Sequence, residues 1–175
     1  MNKIKLALLD MNNNHANQGM KNIREISQQF KETSAENVEI TVFDVRYKNE
    51  MPNVEEFDIF ISSGGPGNPH REGYEWEQKF ADFLDEVWEH NKNSEQKKFL
   101  FLICHSFQLA SIHWKLGNIC KRKSYSFGVM PIHKTYQGEN DFLLKNLPEP
   151  FYAVDSRAYQ FIEPDHKKLD EMGMK

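Results

Sequence analysis

Phe99-Leu100-Phe101-Leu102-Ile103-Cys104-His105-Ser106-Phe107-Gln108-Leu109-Ala110 is the stretch that decides the fold. Its first five residues form the most apolar run of the chain. Such a run predicts a central parallel strand covered on both faces. Cys104 ends the run, and residues 107–116 then read as a helix stopped by Gly117. A buried strand that gives way to a thiol and then at once to a helix predicts a nucleophile elbow, with the cysteine projecting above the sheet edge. The setting suits a thiol. Unpaired N–H groups at a helix start stabilise negative charge, lower the thiol pKa and raise the thiolate fraction. Ligands also collect beyond the carboxyl ends of parallel strands. The plainer alternative makes Cys104 a small buried apolar residue, a common role for cysteine. Cys120, in an ordinary strand-like context, is read in that plainer way.

Outward from this stretch the chain alternates. Residues 4–9 (IKLALL) read as a buried strand. Residues 16–30 carry Met20, Ile23, Ile26 and Phe30 at helical spacing, and residues 38–43 (VEITVF) alternate as a strand. Residues 57–61 (FDIFI) make a third strand that runs into Ser62-Ser63-Gly64-Gly65-Pro66-Gly67-Asn68-Pro69, an obligatory loop. Residues 74–90 form the clearest helix, with Trp76, Phe80, Phe83, Leu84, Val87 and Trp88 on its apolar stripe. This order predicts an α/β fold: a doubly wound, mostly parallel sheet with helices on both faces. Beyond Gly117, residues 119–120, 127–133, 142–147 and 151–154 read as short strands, with turns at Gly138 and Pro148. They predict a small antiparallel extension. No repeat, linker or low-complexity segment interrupts the chain, so residues 1–175 read as a single domain.

The composition bounds the function. A chain of 175 residues with 39% apolar and 13% aromatic content can bury a core, which excludes a disordered chain. A net charge of −4 argues against a phosphate-backbone binder, so no nucleic-acid partner is expected. No apolar run reaches membrane-spanning length, and the first residues carry no signal-peptide pattern, so no membrane partner is expected. Two cysteines are too few for a disulfide framework. A reduced, cytoplasmic setting follows as the default expectation.

The glycine loop adds the second half of a site. Glycines let backbone approach a ligand closely and present its N–H groups. Such a loop can supply one arm of an oxyanion hole, and the N–H of His105, the residue after the nucleophile, can supply the other. Taken alone, the loop reads rather as a plain strand-to-helix connection. Metal and nucleotide readings are weaker. His105 and His113 lie eight apart rather than four, and the loop lacks the Gly-Lys-Ser/Thr ending of a Walker loop. No metal and no cofactor are expected.

Together the two motifs resemble the class I glutamine amidotransferases, the flavodoxin-like glutaminase type, and within them the stand-alone proteins labelled GMP synthase-like. Gly64 to Pro69 matches the family's G-G-P-G-x-P loop fully. Of its elbow pattern G-x-C-x-G-x-Q, Cys104 and Gln108 match, whereas Leu102 and Ser106 stand in place of glycines, which predicts a somewhat opened elbow. The likeness extends from residue 4 to about residue 162.

The resemblance implies that Cys104 attacks the side-chain amide carbon of glutamine while the N–H groups of Gly65 and His105 hold the oxyanion. Gly64, Gly67 and Gln108 would bind substrate. Ser156 and Arg157 occupy the place of the family's Ser-His segment near the substrate's α-carboxylate and amine. Arg157 could pair with a carboxylate, and the plain alternative is a solvated surface arginine. The family's general base, a His two positions before a Glu, is not found. His166, the last histidine, has no such Glu, and His15, His105 and His133 are poor substitutes. The expectation is a chain truncated at its C-terminus, with a short form lacking the base as the alternative.

Three functions remain open. The first is glutamine hydrolysis with ammonia passed to a synthetase partner. The second is a γ-glutamyl peptidase or hydrolase. The third is a degenerate, non-catalytic binding module.

Overall fold

The computed structural model describes residues 3–174 and separates into two compact units, the first ending at Trp114 and the second beginning at Lys115.

The first unit is the α/β sheet. Strands β1 (Lys3–Asp10), β2 (Asn37–Asp44), β3 (Ile59–Ser62) and β4 (Phe99–Leu102) are all parallel, in the order β2-β1-β3-β4. Helix α1 (Gln18–Thr33) links β1 to β2, α2 (Glu75–Asn93) links β3 to β4, and α3 (His105–His113) follows β4. The strand pleat explains the layers. Along β1, Leu6 and Leu8 face one way and pack with Met20 and Ile23 of α1. Ala7, Leu9 and Met11 face the other and join Phe60 of β3, Phe80, Phe83 and Leu84 of α2, and Leu109 of α3. Helices thus cover both faces, as a doubly wound fold requires. Phe60 and Phe83 meet edge-on at 5.1 Å between centroids, an arrangement favoured by the ring quadrupoles.

The second unit is an antiparallel pair, β5 (Asn118–Ile132) with β6 (Phe151–Ile162), forming a sheet of its own. Helices α4 (Tyr136–Asn140) and α5 (His166–Glu171) complete it.

Several sequence expectations are corrected. The 119–120 and 127–133 pieces are one long strand. Residues 142–147 form a turn, with Lys145 N–H bonded back to the Asp141 carbonyl at 2.9 Å. Gly138 lies within α4 rather than at a simple turn. On α1 only Met20 and Ser27 are buried, while Ile26 is 65% exposed. Strand β4 stands at the sheet's edge, not at its centre. Phe99 and Phe101 are exposed, and only Leu100 and Leu102 pack against the core. An apolar run reports what a strand could bury, not what its neighbours cover.

Candidate active site

Strands β1, β3 and β4 end side by side, and the loops that leave them build the site. The chain runs outward from β1 to β2 and then from β3 to β4, so the carboxyl edge between β1 and β3 is the topological switch point. Ser63 N–H bonds the Leu9 carbonyl at 3.0 Å and Ile103 N–H bonds the Ser62 carbonyl at 3.0 Å, which carries the sheet's register into both loops.

Cys104 stands between β4 and α3 with φ 52° and ψ −103°. A non-glycine residue in that region is strained by about 1–3 kcal/mol, and such strain persists only where the surroundings enforce it. The surroundings are visible. The Cys104 carbonyl accepts from Gln108 N–H at 2.9 Å, locking the first turn of α3. Ser106, fully buried, accepts Ile103 N–H at 3.0 Å, and its hydroxyl lies 3.1 Å from the carbonyls of Ser62 and Ile103. Ser106 therefore ties strand and helix together, and Leu102 packs against the main core. The side chain of Cys104 is exposed, which removes the reading of a buried apolar residue. Cys120 is half-buried on β5, 3.7 Å from Gln160 Nε2, in keeping with its ordinary role.

The glycine bend lies against the elbow. A methyl group placed on Gly64 would sit 3.3 Å from Cys104 Cβ, and one on Gly65 would overlap the Met11 carbonyl oxygen. At Gly65 the Met11 backbone leaves no room for a side chain, and at Gly64 a side chain would press on Cys104 Cβ. Gly67 has φ 108°.

His105 opens α3. As the first helical residue, its N–H has no carbonyl partner within the helix. Its imidazole is 2% exposed, with Nε2 buried and without a hydrogen-bond partner. Burial, and then the positive charge of Arg46, push its pKa down to about 4, against an opposing pull from Glu77. The ring is therefore neutral near pH 7. Gln108 stands one turn above Cys104 and is 7% exposed.

Three residues of this region carry no signal in the sequence. Arg46, in the polar loop after β2, donates through Nη1 to the carbonyls of Met11 and Pro66 and lies 4.8 Å from the Trp76 ring centre. Glu77 accepts from the N–H groups of Glu72, Gly73 and Tyr74, capping α2 where the loop enters it. Ser63 Oγ contacts both the start of the β1 loop and the Gly64 carbonyl.

Ser156 and Arg157 belong to the second unit, on β6. Ser156 Oγ is 2.7 Å from Tyr125 Oη, and Arg157 Nε is 2.8 Å from Asp155 Oδ1. Burial would raise the Asp155 pKa, but the Ser126 hydroxyl bond and the Arg157 charge outweigh it and hold the carboxylate low. Arg157 thus already has an anionic partner. His133 is 2.8 Å from Glu149 in the same unit. His15 lines a separate hollow of about 490 Å³ beyond β1 and β2, with Asp10, Arg24 and Asp44. Among the described residues no cluster of three or more His, Cys, Asp or Glu could hold a metal ion, and no helix is long and apolar enough to cross a membrane.

Comparison with solved structures identifies the architecture. The chain matches SMU.1228c with a TM-score of 0.68 at 15% identity, over 91% of this chain and 64% of that one. It matches the CTPS glutaminase domain of Trypanosoma brucei, solved with bound acivicin, with a TM-score of 0.64 at 13% identity, over 97% of this chain and 72% of that one. The chain therefore has a glutaminase-type α/β fold, and it spans about two-thirds of the length of SMU.1228c. No protein-family model and no curated protein matches the sequence.

Proposed function

We propose that this chain is a glutamine amidotransferase-like thiol amidohydrolase of the GMP synthase-like kind, which releases ammonia from the side chain of glutamine. The observation that carries this reading is the strained, exposed Cys104 set against the Gly64–Gly65 bend.

The sulfur bonds to the amide carbon, and the N–H groups of Gly65 and His105 receive the charge that develops on oxygen. The carbon–nitrogen bond breaks, and the proton lost by the thiol leaves on the departing nitrogen as ammonia. Water then adds to the γ-glutamyl thioester, its hydroxyl going to carbon and its proton to sulfur. Gly64, Gly67 and Gln108, on the bend and the helix that flank Cys104, are our candidates for holding the substrate. Ammonia passes to a synthetase partner, in a reducing, cytoplasmic setting that keeps the thiol intact.

The test is ammonia release from glutamine by the wild-type chain and by Cys104→Ala. Release that disappears in the variant supports the reading, and equal release from both sinks it. Glutamate freed from γ-glutamyl peptides but not from glutamine would move the assignment to a γ-glutamyl hydrolase.

A further inference from the structure

The hydroxyl of Ser63 sits at the root of the bend, 2% exposed. Met11 N–H donates to it at 2.9 Å and the Asn12 side-chain amide donates at 3.3 Å. A hydroxyl has two acceptor positions and one proton. With both acceptor positions occupied by β1-loop donors, the single proton is directed to the remaining partner, the Gly64 carbonyl at 2.8 Å. The peptide between Gly64 and Gly65 is planar, and in a trans peptide the C=O and the following N–H point in opposite directions. Holding the Gly64 oxygen on the Ser63 hydroxyl therefore turns the Gly65 N–H away from that hydroxyl and from the Met11 and Asn12 groups bonded to it. Glycine residues on both sides leave that peptide otherwise easy to rotate.

We propose that Ser63 is a positioning residue that fixes the Gly64–Gly65 peptide with its N–H turned toward the oxygen of a carbonyl under attack by Cys104. The proposal rests on reading the bend as an oxyanion-binding element. Its consequence is that Ser63 matters for reactions of Cys104 that build an oxyanion and not for those that do not.

Two reagents separate the cases. p-Nitrophenyl acetate acylates the thiol through a tetrahedral oxyanion: a sulfur–carbon bond forms, the aryl ester bond breaks, p-nitrophenolate leaves and the thiol proton goes to buffer. Iodoacetamide alkylates it by direct displacement of iodide, again with the proton lost to buffer, and no oxyanion forms. Both rates are taken on the full chain after subtracting those of Cys104→Ala, which removes the contribution of Cys120.

In Ser63→Ala the ratio of acylation to alkylation falls about tenfold to a hundredfold, with the alkylation rate itself unchanged, since loss of a whole oxyanion donor costs about a hundredfold to a thousandfold. Ser63→Thr, which keeps the hydroxyl, restores the ratio. A ratio in Ser63→Ala within twofold of wild type, or acylation and alkylation falling together, overturns the proposal. Glutamine need not be a substrate for this test. A fallen ratio in a chain that leaves glutamine untouched upholds the positioning role and removes only the proposed substrate.

Discussion

The imidazole of His105 is almost completely enclosed, its Nε2 has no partner, and Arg46 makes a second positive charge there unfavourable. Its pKa falls from an ordinary value near 6.5 to about 4. Between those values the unfolded chain binds more protons than the folded one, so stability increases with pH across that interval. The contribution is fully present above pH 6.5 and is lost as the pH falls toward 4. Two and a half units correspond to roughly 3 kcal/mol. His105→Gln removes the titrating group. Urea unfolding of the wild type should lose about 3 kcal/mol more than the variant between pH 6.5 and pH 4, whereas parallel pH curves would show that the ring titrates normally. The sequence pointed to His105 for its backbone N–H. It could not show that the side chain lies buried beside a distant arginine, because Arg46 reaches the bend only through the folding of β2 beside β1.

At the scale of elements, the junction of β4 and α3 stores strain in one residue. Replacing Cys104 with glycine should relieve it, since glycine adopts φ 52° without a clash. After the extra entropy that glycine gains in the unfolded chain, the net gain is about 1 kcal/mol. Cys104→Ala keeps the β-carbon and should gain nothing. Thermal melting of the two variants beside the wild type checks this, and equal midpoints for Gly and Ala would argue that the elbow is relaxed.

The same junction shows how much of the site was legible. Strand, thiol, helix and glycine bend were all readable, because each is a local pattern of apolar run, stop and turn chemistry. The role of Ser106 is not local: its hydroxyl bonds to Ser62 and Ile103 depend on two strands lying side by side. The α2 stripe packs inward along most of its length: Trp76, Phe80, Phe83, Leu84 and Val87 are buried, and Trp88 at its end is half-buried. The α1 stripe was over-read. Periodicity marked Ile26 and Phe30 as inward, yet the face beneath α1 closes around Met20 and Ile23 and leaves both outside. Residues 142–147 carry strand-like apolar content, but among the described residues no strand pairs with them, and they settle as a turn.

Across the whole molecule, strand order is what the sequence could least provide. Phe99-Leu100-Phe101-Leu102 points to the sheet's centre by its apolarity. In the structure it is the last strand, and among the described residues no strand pairs with its outer side. Phe99 is 66% exposed and Phe101 55%. An uncharged edge strand carrying exposed aromatic side chains offers its unused backbone groups as a template for a neighbouring molecule. Concentrated solutions should therefore lose this protein by intermolecular strand addition at β4, and Phe99→Lys with Phe101→Lys should suppress that loss by charge repulsion. Light scattering against time at fixed concentration reads the difference, and identical growth curves would place the sticky surface elsewhere. Cys104 follows Leu102 by only two residues, so a self-association that begins at this edge would also occlude the thiol. Colloidal behaviour and chemical reactivity in this chain would then decline together.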